Sequence, residues 1–150
     1  MTPFSIVMAT RNRCSTLIRT LLSVDYTKLR RLEGEIVVVD NGSTDNTIDA
    51  VEELRTEKGS SISLVQELQP GVGRARNAGI RVSSSPTVAF TDDDCYITSE
   101  YLTRVSSLFE NAEFDFVAGR VSLYDPKDAS IGVTSHRRFS LIPPGTFIPV

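Results

Sequence analysis

Apolar runs alternate with amphipathic stretches along the first two thirds of the chain. Runs rich in β-branched residues cover residues 4–10 and 35–40, and each ends in polar residues, as the buried strands of a parallel sheet do. Shorter runs at residues 62–66 and 88–90 have the same character, and the apolar residues over 116–123 predict a further strand. The pattern therefore predicts five strands.

Apolar positions at helical spacing follow each of the first four runs. They predict helices around residues 17–24, after Asp45, over residues 74–82 and after Thr98. The predicted N-caps are Ser15 or Thr16 for the first helix, Asp45 for the second, and Thr98 or Ser99 for the fourth. The resulting β-α-β-α-β-α-β-α-β order predicts an α/β fold with a mostly parallel, Rossmann-like sheet and right-handed crossovers between its strands.

The last stretch, residues 124–150, has a different character. It lacks clear periodicity, is rich in proline, and ends in the apolar residues 147–150. We expect residues 1–123 to form the α/β unit and residues 124–150 to begin an irregular segment of a domain that is incomplete at its C-terminal side. An uncovered apolar end would favour self-association, and a docked C-terminal tail is the alternative.

Net charge and cysteine content narrow the classes of protein that fit this chain. The 150 residues hold 16 Lys+Arg and 19 Asp+Glu, and the net charge of −3 excludes a strongly basic nucleic-acid-binding protein. No apolar run exceeds four residues, whereas a membrane span needs about 20. Two cysteines are too few for a disulfide framework and the N-terminus lacks the features of a signal peptide, so we expect a cytoplasmic protein.

Three polar clusters lie where predicted strands end: residues 10–13, residues 40–45 and residues 92–94. Ligands of open α/β sheets bind outside the carboxyl ends of the strands. Any one of these clusters could be a solvated turn. Their coincidence at one edge of the predicted sheet favours a ligand-binding site.

The three consecutive aspartates of the last cluster are the sharpest of these signals. Adjacent carboxylates repel one another unless a cation or water screens them. Asp92 and Asp94 are alternate residues of an extended segment, so they project to the same side. They are therefore candidate ligands for Mg²⁺ or Mn²⁺, whereas Cys95 is predicted to be a packed side chain.

A glycine-rich segment, residues 71–79, precedes and enters the third predicted helix. It matches neither a dinucleotide-binding fingerprint nor a Walker loop. Its flexible backbone, the start of a helix, and the side chains of Arg74 and Arg76 suit an anion, while a tight turn with solvated arginines is the alternative. The single histidine, His136, adjoins two arginines and is predicted to be a surface residue rather than a general base.

Four ordered blocks, residues 4–11, 36–45, 73–79 and 89–94, resemble the family-2 glycosyltransferases with the GT-A fold. The resemblance covers roughly residues 3–123. Its most specific feature is the block Val-Asp-Asn-Gly-Ser-Thr-Asp followed, about fifty residues later, by a DxD-type block. The resemblance implies a nucleoside-diphosphate-sugar donor, expected to be a UDP-sugar, a divalent metal ion and inversion at the anomeric carbon.

The resemblance also implies roles for individual residues. The residues it places at the nucleotide are Thr10, Arg11, Asp40, Arg76 and Asp93, and those it places at the metal are Asp94 and Asp92. Within the nucleotide site, Thr10 and Asp40 would contact the base and Asp93 would face the ribose. Arg76 would lie near the base or the diphosphate.

One departure from the family pattern concerns the catalytic base. The family uses a carboxylate well beyond the DxD block to deprotonate the acceptor, and Asp125 and Asp128 lie too early for that role. The chain is therefore interpreted as the donor-binding half of an enzyme whose acceptor is an unidentified glycan, lipid or other small molecule. Donor binding without efficient transfer is expected, since general-base catalysis supplies about 10²–10⁴-fold.

Two other functions remain open from the residues alone. One is an Asp-dependent phosphotransferase or phosphatase that uses Asp92 and Asp94 as nucleophile and acid. The other is a non-enzymatic nucleotide-binding module. A trapped aspartyl-phosphate would favour the first, and tight metal-dependent UDP binding without turnover in a longer chain would favour the second.

Overall fold

The computed structural model describes residues 2–110, 115–119, 121–125 and 127, in two compact units of residues 1–114 and 115–150. The first unit contains all the helices and strands of the described residues. The strands are β1 (Phe4–Thr10), β2 (Gly34–Asp40), β3 (Ile62–Gln66) and β4 (Thr87–Asp92). The helices are α1 (Cys14–Leu22), α2 (Tyr26–Arg31), α3 (Thr47–Lys58), α4 (Val72–Val82) and α5 (Ser99–Leu108), with a 3-10 turn at Gly59–Ser61.

The four strands form one parallel sheet in the order β3-β2-β1-β4. The chain moves outward from β1 to β3 and then returns to the other side of β1 to form β4. The loops after β1 and β4 consequently leave the sheet in different directions, and such a switch point opens a crevice at the carboxyl ends of the strands. Thr10 pairs with Asp40 and Ala9 pairs with Asp92, so the polar clusters end level with one another.

Apolar side chains cover both faces of the sheet, which explains why the strand sequences are almost continuously hydrophobic. One face, including Ile6 and Val38, packs against α1, α2, α3 and α5. Among the described helices, α4 is the one that packs against the other face. The close approach of α4 depends on Gly79, because a Cβ atom there would overlap the side chain of Val7. The predicted α/β fold with a parallel sheet is confirmed.

The helices of the structure differ from the predicted ones in number and in where some of them begin and end. α2 was not predicted, and it begins where the side chain of Asp25 accepts a hydrogen bond from the backbone N–H of Lys28 (3.0 Å). α1 begins at Cys14, so the prediction of Ser15 or Thr16 as its N-cap is wrong. The physical reason is that a residue from another loop, Asp45, accepts the Cys14 N–H (3.1 Å). The N-cap predicted at Thr98 is confirmed.

The predicted fifth strand is wrong for the part that can be described. Residues 115–119 and 121–123 are not in a strand. A strand requires backbone pairing with a neighbour as well as apolar composition, and Phe116 is 61% exposed rather than packed in a sheet. His136 and most of residues 124–150 lie outside the described residues.

Candidate active site at the carboxyl edge of the sheet

A cavity of about 330 Å³ lies at the carboxyl edge of the sheet, where the loops after β1, β2 and β4 meet. Its walls come from Ala9, Thr10, Arg11, Arg13, Asn41, Val72, Asp92, Asp93 and Asp94. Apart from Ala9 of β1 and Val72, the first residue of α4, these residues belong to the three polar clusters. The predicted convergence of the clusters at one edge is therefore observed.

Asp93 forms the buried floor of the cavity, and the protein holds it from three sides. Thr10 Oγ1 donates to Asp93 Oδ2 (2.7 Å), and Arg13 Nη1 lies 2.8 Å from Asp93 Oδ1. Thr20 Oγ1 donates to the Asp93 carbonyl oxygen (2.8 Å). Both carboxylate oxygens of Asp93 thus have a donor within the fold, which fixes the position of the residues on either side of it.

Arg13 links this buried acid to an exposed one. Its second terminal nitrogen, Nη2, lies 2.8 Å from Asp94 Oδ2. The hydrogen bond to Asp94 raises the pKa of the Arg13 guanidinium, so the charge is kept throughout the accessible pH range. The sequence did not single out Arg13, although it belongs to the first polar cluster.

Asp92 and Asp94 are the carboxylates that face solvent. Their oxygens and the Cys95 sulfur lie within 4.8 Å of one another, and Arg76 Nη2 is 3.4 Å from Asp92 Oδ1. Burial and the charges of Asp94 and Asp92 raise the pKa of the Cys95 thiol, so the thiol is protonated at neutral pH in the metal-free protein. The donor set therefore consists of carboxylate oxygens, which suit Mg²⁺ or Mn²⁺ and leave further coordination positions for water and phosphate oxygens.

Asp40 lies behind the cavity rather than in its wall. It is 1% exposed, and its carboxylate accepts a hydrogen bond from the backbone N–H of Ser43 (3.1 Å). A carboxylate offers about four lone-pair sites, so one N–H donor leaves acceptor capacity. Arg76 likewise is not in the cavity wall, and it reaches the site through Asp92 and stacks over Phe90 at 5.7 Å.

Asn41, the residue after Asp40, shapes the rim of the cavity. Its side-chain nitrogen donates to the carbonyl oxygens of Glu67 (2.7 Å) and Gln69 (2.8 Å), and its side-chain oxygen accepts from the Gly71 N–H (2.8 Å). These bonds fix the loop between β3 and α4 and thereby the exposed side chain of Val72. The sequence did not indicate this role, because the partners lie 26 to 30 residues away.

Asp45 braces the loops instead of lining the cavity. Its carboxylate accepts hydrogen bonds from the backbone N–H of Thr47, the first residue of α3, and from that of Cys14. The hydrogen bond donated by the Thr47 hydroxyl lowers the pKa of Asp45, although burial opposes the shift. The prediction of Asp45 as the N-cap residue of this helix is wrong by one position, since the N-cap residue is Asn46, but the Asp45 side chain still accepts the first N–H of α3 and also fixes the start of α1.

Comparison with known proteins identifies the class to which this arrangement belongs. The family description "Glycosyl transferase family 2" matches residues 5–148. Glycosyltransferase AglE of Haloferax volcanii is 31% identical over 125 residues, which cover 83% of this chain and 41% of AglE.

Two solved structures are similar to this chain in fold. Mannosyltransferase PcManGT from Pyrobaculum calidifontis, in complex with GDP-Man and Mn²⁺, has a TM-score of 0.64 and 25% identity, and the match covers 73% of this chain and 33% of that one. TarS 1–349 of Staphylococcus aureus, in complex with UDP, has a TM-score of 0.58 and 30% identity over 72% of this chain and 32% of that one. This chain therefore spans about two fifths of AglE and about one third of each solved neighbour.

In the part that the structure describes, we find no helix with the length and hydropathy that a bilayer crossing requires.

Proposed function

Because this chain belongs to glycosyl transferase family 2 and has the GT-A fold, as its solved glycosyltransferase neighbours do, we propose that it forms the donor-binding part of a glycosyltransferase. In that proposal a sugar is transferred, with inversion, from a nucleoside-diphosphate sugar to an acceptor hydroxyl. The observation that carries it is the cavity at the switch point of the sheet, which combines exposed carboxylates with three arginines at or beside its wall.

We place the nucleotide along the loops after β1 and β2. Asp40 would accept a hydrogen bond from the base and Thr10 would contact the base from the end of β1. Asp93 would face the ribose through the lone pairs that Thr10 and Arg13 leave. Arg11 and Arg76 carry positive charge that suits the diphosphate. The UDP complex of TarS favours UDP as the nucleotide, and the GDP-Man complex of PcManGT makes GDP the alternative to test.

Asp92 and Asp94 would hold the divalent cation, Mg²⁺ or Mn²⁺. The spacing of their oxygens and the exposure of both side chains support this assignment. A bound divalent cation neutralises the charge that develops on a leaving diphosphate, an effect worth several kcal/mol. The role of this chain's own residues is to hold the two carboxylates on one side of the cavity and to present the arginines around them.

The acceptor side is proposed to lie elsewhere in the whole protein. The carboxylates in the wall of the described cavity are Asp92, Asp93 and Asp94, and all three are assigned above to the donor. The base that deprotonates the acceptor hydroxyl, and the choice among a glycan, a lipid or another small molecule, therefore remain outside this proposal.

The phosphatase alternative is not favoured by these observations. Its nucleophile would need an exposed aspartate beside a second, proton-donating acid, but both exposed acids here contact arginines, Arg76 at Asp92 and Arg13 at Asp94. AglE and PcManGT, two of the proteins that this chain resembles, are named as a glycosyltransferase and a mannosyltransferase. A non-enzymatic module with the same site would bind nucleotide equally well. A measurement of sugar transfer by the whole protein distinguishes such a module from a glycosyltransferase.

Calorimetry with UDP, GDP and dTDP, each with Mn²⁺ and with chelator, tests the proposal on this chain. One nucleoside diphosphate, expected to be UDP, should bind with an affinity that Mn²⁺ raises. Nucleoside monophosphates serve as the matched control, because they lack the second phosphate that would contact the cation. No binding of any diphosphate, or equal binding with and without metal, would contradict the proposed function.

A further inference from the structure

Arg13 is positioned to control the acid cluster, and its backbone holds it there. It is the N-cap residue of α1, and its carbonyl oxygen accepts hydrogen bonds from the N–H groups of Thr16 (3.1 Å) and Leu17 (2.9 Å). The preceding residue, Asn12, has a left-handed φ of 54° and is held by the Ser43 hydroxyl at its N–H (2.9 Å). The guanidinium therefore extends from a fixed point on the β1–α1 loop toward the residues after β4.

The two contacts of the guanidinium differ in environment. The Asp93 side chain is 4% exposed and has its other oxygen bound by Thr10, so separating it from Arg13 would leave a buried charge without a partner. The Asp94 side chain is 48% exposed. Exposed ion pairs contribute little free energy. Arg13 is thus anchored at Asp93 and exchangeable at Asp94.

Asp94 is also the residue assigned above to the divalent cation, so the guanidinium and the cation compete for the same carboxylate. A cation that binds alone must displace Arg13 from Asp94 Oδ2 or bind beside a like charge. A diphosphate brings the negative charge that relieves this conflict. We propose that Arg13 is a positioning residue, an internal counter-ion that holds Asp94 in the metal-free protein and makes cation binding depend on the nucleoside diphosphate.

This inference rests on the proposed function and deepens it. It predicts that the metal and the diphosphate bind with strong positive coupling in the wild-type protein. By linkage, the factor by which UDP raises the affinity for Mn²⁺ equals the factor by which Mn²⁺ raises the affinity for UDP. Both directions can therefore be measured and must agree.

The test compares wild type with Arg13→Gln and Arg13→Lys, using Mn²⁺ alone, UDP or GDP alone, and both together. Free Mn²⁺ is counted by electron paramagnetic resonance and nucleotide binding by calorimetry. For Arg13→Gln, the affinity for Mn²⁺ alone should rise about threefold to tenfold, the range for losing one exposed ion pair and one like charge, and the coupling factor should fall accordingly. Arg13→Lys keeps the charge, but a lysine cannot contact both carboxylates as a planar fork does. Its Mn²⁺ affinity and its coupling factor should therefore lie between those of wild type and those of Arg13→Gln.

Arg104→Gln is the matched control. Arg104 is an exposed arginine of α5 that pairs with Glu100, so its substitution removes the same charge elsewhere on the protein. It should leave both affinities unchanged. Thermal unfolding of each variant is measured as well, because a merely structural role for Arg13 would lower the midpoint without changing the coupling. Weaker or unchanged Mn²⁺ affinity in folded Arg13→Gln would overturn the inference alone, whereas absent coupling in the wild-type protein would overturn the proposed function with it.

Discussion

Carboxylates stand at both ends of the parallel sheet, and the two ends differ in the kind of partner that their carboxylates have. At the amino end, Glu35 of β2 accepts hydrogen bonds at one oxygen from the Ser5 hydroxyl (2.6 Å) and from the backbone N–H (2.7 Å) and hydroxyl (2.8 Å) of Ser84. It ties β1 and β2 to the loop before β4. At the carboxyl end, Asp92 and Asp94 are exposed. Arg76 contacts Asp92, and Arg13 and the Cys95 thiol contact Asp94. Exposed ion pairs of this kind contribute little free energy and are easily exchanged for a ligand.

The comparison teaches that position along a strand decides what an acidic residue does. An acid whose oxygens are satisfied by neighbouring strands contributes to stability and has little capacity for a ligand. Acids crowded beside one another at the switch point repel, which costs stability unless a cation or an arginine compensates. Asp93 combines the two behaviours, because the fold supplies one partner to each of its oxygens and a lone pair on each remains for the proposed ribose contact.

The largest expected effect is on the free energy of unfolding, and it distinguishes Asp93 from Asp94. Asp93→Ala removes the partner of both Thr10 and Arg13, and we expect the free energy of unfolding to fall by about 2–4 kcal/mol. Asp94→Ala, the matched control, should change it by less than about 0.5 kcal/mol or raise it, because an exposed and crowded charge is lost. Urea unfolding of both variants makes the comparison, and equal losses would break the distinction between the two acids.

Asn41 tests whether the rim of the cavity depends on loop bracing. Asn41→Ala removes three hydrogen bonds to residues 67–71, so we expect UDP affinity to fall by about 1–2 kcal/mol, the scale of lost buried hydrogen bonds. Asn46→Ala is the matched control, since the Asn46 side chain makes no cap hydrogen bond to α3. Calorimetry on both is the measurement, and unchanged affinity in Asn41→Ala would show that the rim does not shape the binding site.

Glu35 tests the amino end of the sheet directly. Glu35→Ala leaves Ser5 and Ser84 without their shared acceptor, and we expect a loss of about 1–2 kcal/mol in the free energy of unfolding. Nucleotide affinity should not change. Glu53→Ala on the exposed side of α3 is the control for losing a carboxylate. A change in UDP affinity with Glu35→Ala would mean that the two ends are not functionally distinct.

The smallest expected effect is in the pH dependence of stability. Burial raises the pKa of Glu35, but the hydrogen bonds from Ser5 and Ser84 outweigh it and the pKa is lowered. A carboxylate with a lowered folded-state pKa stabilises the protein above its unfolded pKa, about 4.3, and loses that contribution as the pH falls through the folded pKa. The stability difference between wild type and Glu35→Gln should therefore be about 0.5 kcal/mol at neutral pH and shrink below about pH 4. A difference that grows on acidification would contradict this cause.

The sequence predicted those features that depend on local pattern. The bounds of β1 and β3 follow from their apolar, β-branched runs, and the Thr98 cap follows from local chemistry. The position of the three polar clusters follows from the rule that parallel strands end at a common edge. The sequence also supplied the resemblance that the family match confirms.

The features it missed depend on contacts between distant residues. Arg13 meets Asp94 across 81 positions, and the cap at Cys14 comes from a loop 31 residues away. No local pattern marks such partners. The wrong fifth strand has the same origin, since apolar residues at 116–123 predict a strand only if a neighbour is there to pair with them.

The measurement that tests the central claim most directly is a titration of UDP into wild type and Asp94→Asn, each with Mn²⁺ and with chelator. The claim is that the exposed acids at the carboxyl end serve a cation shared with the nucleotide. Asp94→Asn removes a ligand and a charge together, so we predict that Mn²⁺ no longer raises UDP affinity, while the affinity in chelator holds or rises slightly. An equal gain in UDP affinity on adding Mn²⁺ to both proteins would contradict the account.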